Sequence, residues 1–373
     1  MLTRMICTFV FTLFSFYYLY DCQADLLTVM QHVLSKGQTH YNHFVGAVLI
    51  TLVLVLVQIG VSKVFNKFRI AWALTFMPSA ILLAMLTNVQ VLSLDSELVF
   101  GAWKYVGWLL LILFAVVVWL VNSSGLAEEM SKLLMQPIRT LWVNMLVMVA
   151  VMLLVCFAGN SDKVYHARIH AEQCLIDKDY DGALNAISRC NSADSCLTML
   201  AAYSLSQKGE LADRIFEFPL QGGAHALMPD GRTIKFEIYP ERDFYLHLGG
   251  LFRQKMAAER YVSYRLRHGH ISGPMADYVL CSYLLNRKLD AFAANIGKYY
   301  SVSDSTSLPR HYREALTLYT HLRSNPVVAY SNNVMDADFQ DYQNMQKNYS
   351  DERERQTALR DTYGNTYWFY YDY

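Results

Sequence analysis

His166, His170 and Cys174 stand at i, i+4 and i+8, on one face of a helix. Two imidazoles at that spacing can share a zinc ion. At about 1.5 Å of rise per residue, Cys174 lies about 12 Å along the axis from His166, too far to complete the same site. No Glu follows His166 as a metalloprotease helix requires. Packing or solvation therefore accounts for these side chains better than a metal, and His166 and His170 are only weak metal candidates. His268-Gly269-His270, behind Arg265 and Arg267, puts basic groups at a helix end, where they suit the negative end of the helix dipole. A site for an anion is the second reading there. No phosphate-binding Gly loop, Gly-x-Ser-x-Gly elbow or Cys-x-x-Cys pair occurs, so no catalytic residue and no cofactor is assigned. Cys190 and Cys196 flank a polar turn and are the candidate disulfide.

The elements that must carry these residues fall into two groups. Five apolar runs, at about 5–20, 43–64, 70–92, 103–121 and 141–158, fill a transmembrane domain over 1–159. A bilayer core about 30 Å thick takes roughly 20 apolar helical residues, which four of the runs supply, while the first is shorter. No small-x-small cleavage site follows that first run, so it is taken as a retained helix. Basic residues (Arg4, Lys63, Lys67, Arg69) alternate with an acidic loop carrying Asp95 and Glu97. The excess of Lys and Arg on cytoplasmic loops then places the N-terminus inside and everything after Gly159 outside. An amphipathic stretch with Leu126, Met130, Leu133 and Leu134 suits the inner membrane surface. The spans hold no ionisable residue near their centres, which disfavours transport. Gln58, Asn88 and Asn144 are the polar exceptions, and Pro78 is expected to kink its helix.

Residues 160–335 have apolar positions recurring at three and four, the period of helices. They break into pairs around 177–182, 207–211 and 286–290. A long insertion, 219–243, carries turn signals at Gly222-Gly223, Pro229-Asp230-Gly231 and Pro240, and 233–239 alternates enough for one short strand. A C-terminal segment, 336–373, is expected as one charged helix followed by an aromatic tail. Tyr367, Trp368, Phe369, Tyr370 and Tyr371 within it either fold back or bind a partner. Net charge is zero, from 32 basic and 32 acidic residues, so no global field favours nucleic acid.

Asp179-Tyr180-x-x-Ala183, with Ala171 and Cys174 one helix upstream, resembles a tetratricopeptide repeat. Gly209-Glu210-Leu211, preceded by Ala202 and Leu205, is similar to a degraded copy about 31 residues later. Arg214 and Phe292 depart from the pattern, standing where the repeat prefers Ala. The tail, residues 205–211 and the five-run start together resemble an uncharacterised family of bacterial inner-membrane proteins, a domain of unknown function from Bacteroidetes-type genomes. That resemblance implies location and architecture and carries no catalytic residues.

The expectation is an all-α protein. A bundle of about five transmembrane helices in the bacterial inner membrane precedes a tetratricopeptide-like α-solenoid in the periplasm. The expected role is a scaffold or adaptor for an envelope protein partner, because solenoids offer concave binding surfaces. The alternative is a membrane enzyme acting on a lipid-linked or envelope substrate, for which side chains of the insertion and His247 would converge on a pocket.

Overall fold

A computed structural model describes residues 2–64, 72–92, 97–123, 137–190, 192–250, 258–268, 271–302 and 308–373. Lys67, Arg69, Asp95, the amphipathic stretch 126–134, Gly269 and His270 lie outside the described residues. Among the described residues the fold is helical apart from one short antiparallel ribbon, and the chain divides into two compact units, Met1–Asp162 and Lys163–Tyr373.

In unit 1, α1 (Leu2–Tyr17) continues through a π-helical turn to Cys22, and α2 (Ala24–Leu34) follows directly. The stretch between the first two apolar runs is thus mostly α2, which buries Leu26, Leu27, Val29 and Met30. Next come α3 (His43–Val64), a 3-10 turn (Trp72–Phe76) leading into α4 (Met77–Thr87), and strands β1 (Val89–Leu92) and β2 (Glu97–Phe100). The long helices α5 (Trp103–Ser123) and α6 (Pro137–Ala158) complete the unit. Among the described residues, four helices are long and apolar enough to cross a membrane: Leu2–Cys22, His43–Lys63, Trp103–Leu120 and Ile138–Ala158. The expected span at 70–92 differs, because helix covers only Trp72–Thr87 of the described residues and the chain turns into β1 at Val89. Pro78 does not kink a helix. It sits in the first turn of α4, where its missing N–H belongs to the groups a helix start leaves unpaired anyway.

The long helices turn large apolar side chains outward, Trp142 at 73% and Phe157 at 87% exposure, as lipid-facing surfaces do. Inside the unit, Ala73, Ala80 and Ala84 are fully buried, and small residues there let backbones approach closely. Each polar exception among the apolar runs bonds to another element. Gln58 Nε2 donates to Thr75 Oγ1 at 2.9 Å, and Asn88 Nδ2 donates to the Ala158 carbonyl at 2.6 Å. Asn144 Oδ1 accepts the Ala73 N–H at 2.8 Å while its Nδ2 donates to the Thr140 carbonyl at 2.8 Å. Asn144→Leu leaves the Ala73 N–H unpaired in an apolar bundle and is expected to weaken it by about 1–2 kcal/mol. Unfolding by SDS titration of the full chain in micelles reads this, and an unshifted midpoint would count against it.

Unit 2 builds one core from helix pairs. The pairs α7 (Lys163–Ile176) with α8 (Tyr180–Ser188), α9 (Ser195–Lys208) with the short α10 (Leu211–Arg214), and α13 (Gly273–Leu285) with α14 (Leu289–Ile296) share one turn geometry. In each, a residue within two of the helix end is left-handed: Lys178 (φ 60°), Gly209 (φ 72°) and Arg287 (φ 55°). Its N–H and the next one return to the last turn, Asp179 to Cys174, Glu210 to Leu205 and Lys288 to Tyr283, each at 2.8 Å. This is the helix-stop arrangement that satisfies terminal carbonyls while reversing the chain. Between the second and third pairs lie a 3-10 turn (Gly223–Leu227), α11 (Glu241–His247) and α12 (Ala258–His268). Then follow α15 (Arg310–Leu322), α16 (Asn333–Asn348), α17 (Glu352–Tyr363) and α18 (Tyr367–Asp372).

Two details differ from the sequence expectation. The charged C-terminal helix is two helices, because Tyr349 is extended and Asp351 caps a fresh start by accepting the Arg353 and Glu354 N–H groups. Residues 233–239 form no strand. The N–H groups of Glu237, Ile238 and Tyr239 go instead to the Glu172 carboxylate on α7.

Candidate functional site

The insertion owes its course to two carboxylates. Asp230 Oδ1 accepts the N–H groups of Arg232, Thr233 and Ile234 at 2.7–3.0 Å, closing the turn that Gly231 (φ 71°) permits. Glu172, fully buried, gathers the next stretch: its Oε2 accepts Glu237 N–H at 2.8 Å, Ile238 N–H at 2.7 Å and Tyr239 N–H at 3.0 Å. Arg168, one turn earlier, meets Glu237 at 3.3 Å, and Lys235 meets the same carboxylate at 3.2 Å. Burial pushes Glu172 up to about 7, against the pull of the three N–H groups and Arg168. The turn Gly223–Leu227 is part of the core, with Ala224, Ala226, Leu227 and Met228 buried between α9 and α13.

The segment from Phe216 to Gly223, which leads into the insertion, forms one wall of a cleft of about 640 Å³. Phe216, Phe218, Gln221 and the left-handed Gly222 and Gly223 line that wall. A Cβ on Gly222 would meet Ser195 Oγ at 2.7 Å, so the backbone passes there only without a side chain. Arg287, at the α13–α14 turn, forms the second side, and Arg360, Phe369, Tyr370 and Tyr373 close it from the C-terminal helices. The Arg287 guanidinium lies over the Tyr370 ring, 5.6 Å from its centroid, while the Tyr370 hydroxyl donates to the Leu285 carbonyl at 2.8 Å. Glu217, the carboxylate of the cleft, is engaged by Arg214 at 2.8 Å and Arg310 at 4.0 Å. Arg287 and Arg360 form no ion pair among the described residues. A surface with aromatic faces and two such guanidiniums can stack on rings and hold a carboxylate through paired N–H donors.

The tail forms this wall because a second buried carboxylate holds it. Glu314 on α15 accepts the Tyr367 N–H at 2.7 Å, and the Trp368 indole N–H donates to the Glu314 carbonyl at 2.8 Å. His311 and Arg310 complete the carboxylate's shell at 2.8 and 2.9 Å. Tyr367 and Trp368 are buried, whereas Phe369, Tyr370 and Tyr371 are half-buried, so the five tail aromatics divide between core and surface.

The other sequence candidates stand apart from the cleft. His166 and His170 lie on α7, His166 against the Tyr165 ring, and among the described residues no three His, Cys, Asp or Glu side chains gather as metal ligands would. Cys190 and Cys196 are buried free thiols, and Cys196 Sγ donates to the Thr233 carbonyl at 3.3 Å. His268 stacks on Tyr264 in its own helix. His247 pairs with Ser206 Oγ at 2.8 Å against the edge of Tyr203, and burial holds its pKa below the ordinary histidine value. Arg360 gave no signal in the sequence. Arg287 was visible only as part of a polar break between helices.

These features define a helical protein that joins a group of apolar, span-length helices to a helix-pair unit bearing an aromatic, guanidinium-lined cleft. The chain belongs to a family of unknown function, DUF6057, matched over residues 93–269 and 266–373. No curated protein and no solved structure matches it.

Proposed function

We propose that this is a multi-pass protein of the bacterial inner membrane, with its N-terminus in the cytoplasm. Unit 2 stands in the periplasm as a scaffold or adaptor for an envelope protein. The apolar helices of unit 1 and the basic residues Arg4 and Lys63 support the location and the orientation. The repeated helix-pair turn at Lys178, Gly209 and Arg287 supports a tetratricopeptide-like solenoid. The single observation that carries the adaptor reading is the cleft. It presents Arg and aromatic side chains, the types that dominate protein-binding hot spots.

The test is site-specific photo-cross-linking in cells from a benzophenone side chain at Phe369, which is half-buried on the cleft wall. The expected product is a discrete protein adduct. A lipid or glycan adduct in its place would overturn the adaptor reading and favour an enzyme on an envelope substrate. A reporter fused after Tyr373 that is active only in the cytoplasm would overturn the orientation.

A further inference from the structure

We infer that the cleft between the Phe216–Gly223 segment, the α13–α14 turn and the C-terminal helices takes an acidic, aromatic-bearing peptide segment of a partner protein. Arg287 and Arg360 are its carboxylate-binding groups. This deepens the adaptor reading and rests on it.

Two observations carry it. The first is charge: the cleft's own carboxylate, Glu217, is already bonded to Arg214 and faces Arg310, while Arg287 and Arg360 have no acidic partner among the described residues. A carboxylate brought into the cleft therefore meets two guanidiniums and need not break an existing pair.

The second is how the Arg287 guanidinium is held. It lies over the Tyr370 face, 5.6 Å from the ring centroid, and the Tyr370 hydroxyl is tied to the Leu285 carbonyl, so the charge sits beside a ring that is itself anchored. A guanidinium without an acidic partner can pair two-to-two with a carboxylate. Phe218, Phe369 and Tyr373 on the same walls supply apolar and stacking surface beside that charge. The cleft's volume, about 640 Å³, exceeds what one carboxylate fills.

The experiment uses the full chain in lipid nanodiscs and two fluorescein-labelled, amidated peptides, one alternating Asp with Tyr and one alternating Lys with Tyr. Fluorescence anisotropy is expected to show binding of the acidic peptide alone, weakening as salt rises. R287G keeps the turn, since Gly suits its backbone, and R360A removes an exposed side chain. Each is expected to weaken the acidic peptide at least about tenfold, as losing a charge-assisted pair does. F369A is expected to weaken it by a smaller factor. Equal binding of the two peptides, no binding of either, or unchanged affinity in both Arg variants would overturn the proposal. So would complete displacement by low-millimolar inorganic phosphate with F369A unaffected, which assigns a small-anion site. If the peptide result fails while the Phe369 cross-link still yields a protein adduct, the acidic ligand is wrong and the adaptor reading stands.

Discussion

Glu172→Ala is expected to destabilise unit 2 by about 4 kcal/mol, the scale seen when one member of a buried polar network is removed. Three N–H groups, those of Glu237, Ile238 and Tyr239, lose their acceptor at once. Each buried donor left unpaired costs on the order of 1–3 kcal/mol. The insertion then has nothing to hold its second half on α7, and the Arg168–Glu237 contact loses its frame. Thermal unfolding of the full chain in micelles, with proteolysis mapping cuts near residue 235, should show both effects. A shift of under about 1 kcal/mol, typical of an ordinary surface substitution, would refute the anchor.

The same residue makes stability depend on pH. Its folded pKa, raised by burial to about 7, stands above the ordinary value of 4.5. Between those values the folded state holds a proton that the unfolded state has released. The contribution is therefore fully present below about pH 4.5 and is lost as pH rises through about 7. Across that window it amounts to roughly 3 kcal/mol. Glu172→Gln removes the titration and is expected to flatten this part of the profile. An unchanged pH profile in that variant would assign the dependence to other groups.

Trp368→Ala is the second large effect, about 4 kcal/mol, because the indole is 2% exposed and truncating a large core aromatic leaves a cavity. It packs against Phe339 and Tyr342, with ring centroids at 5.1 and 5.9 Å, and donates to the Glu314 carbonyl. Tyr371→Ala, at a half-buried position of the same helix, is expected to cost no more than about 1 kcal/mol. Equal loss in the two variants would mean that α18 is held as a surface strip, not as a core element.

The helices were legible from the sequence because apolar period and caps are local. Asp179, Asp194 and Ser272 each cap the helix that follows, and Gly209 ends one. The insertion's path was not legible, since Glu172 lies 65 to 67 residues from the N–H groups it holds and nothing in the neighbourhood of 237–239 points to it. Alternation at 233–239 looked like a strand for the same reason, since an extended backbone can be satisfied by a carboxylate as well as by a partner strand. The cleft was least legible of all. It joins three segments far apart in sequence, and only the tail's aromatics pointed toward one of its walls.

Trp368 and Tyr367 also set an order of events during synthesis. Glu314 lies 54 residues before Trp368, and the Leu284 carbonyl that accepts the Tyr367 hydroxyl lies 83 residues before Tyr367. A chain made from its N-terminus therefore completes α13, α14 and α15 while the pocket beside Glu314 stands unfilled and Phe339 lacks its indole neighbour. The core cannot close in the order in which it is translated. Between the emergence of α15 and the arrival of α18, the apolar surface that Trp368 covers, Phe339 included once it is made, stays open to a chaperone.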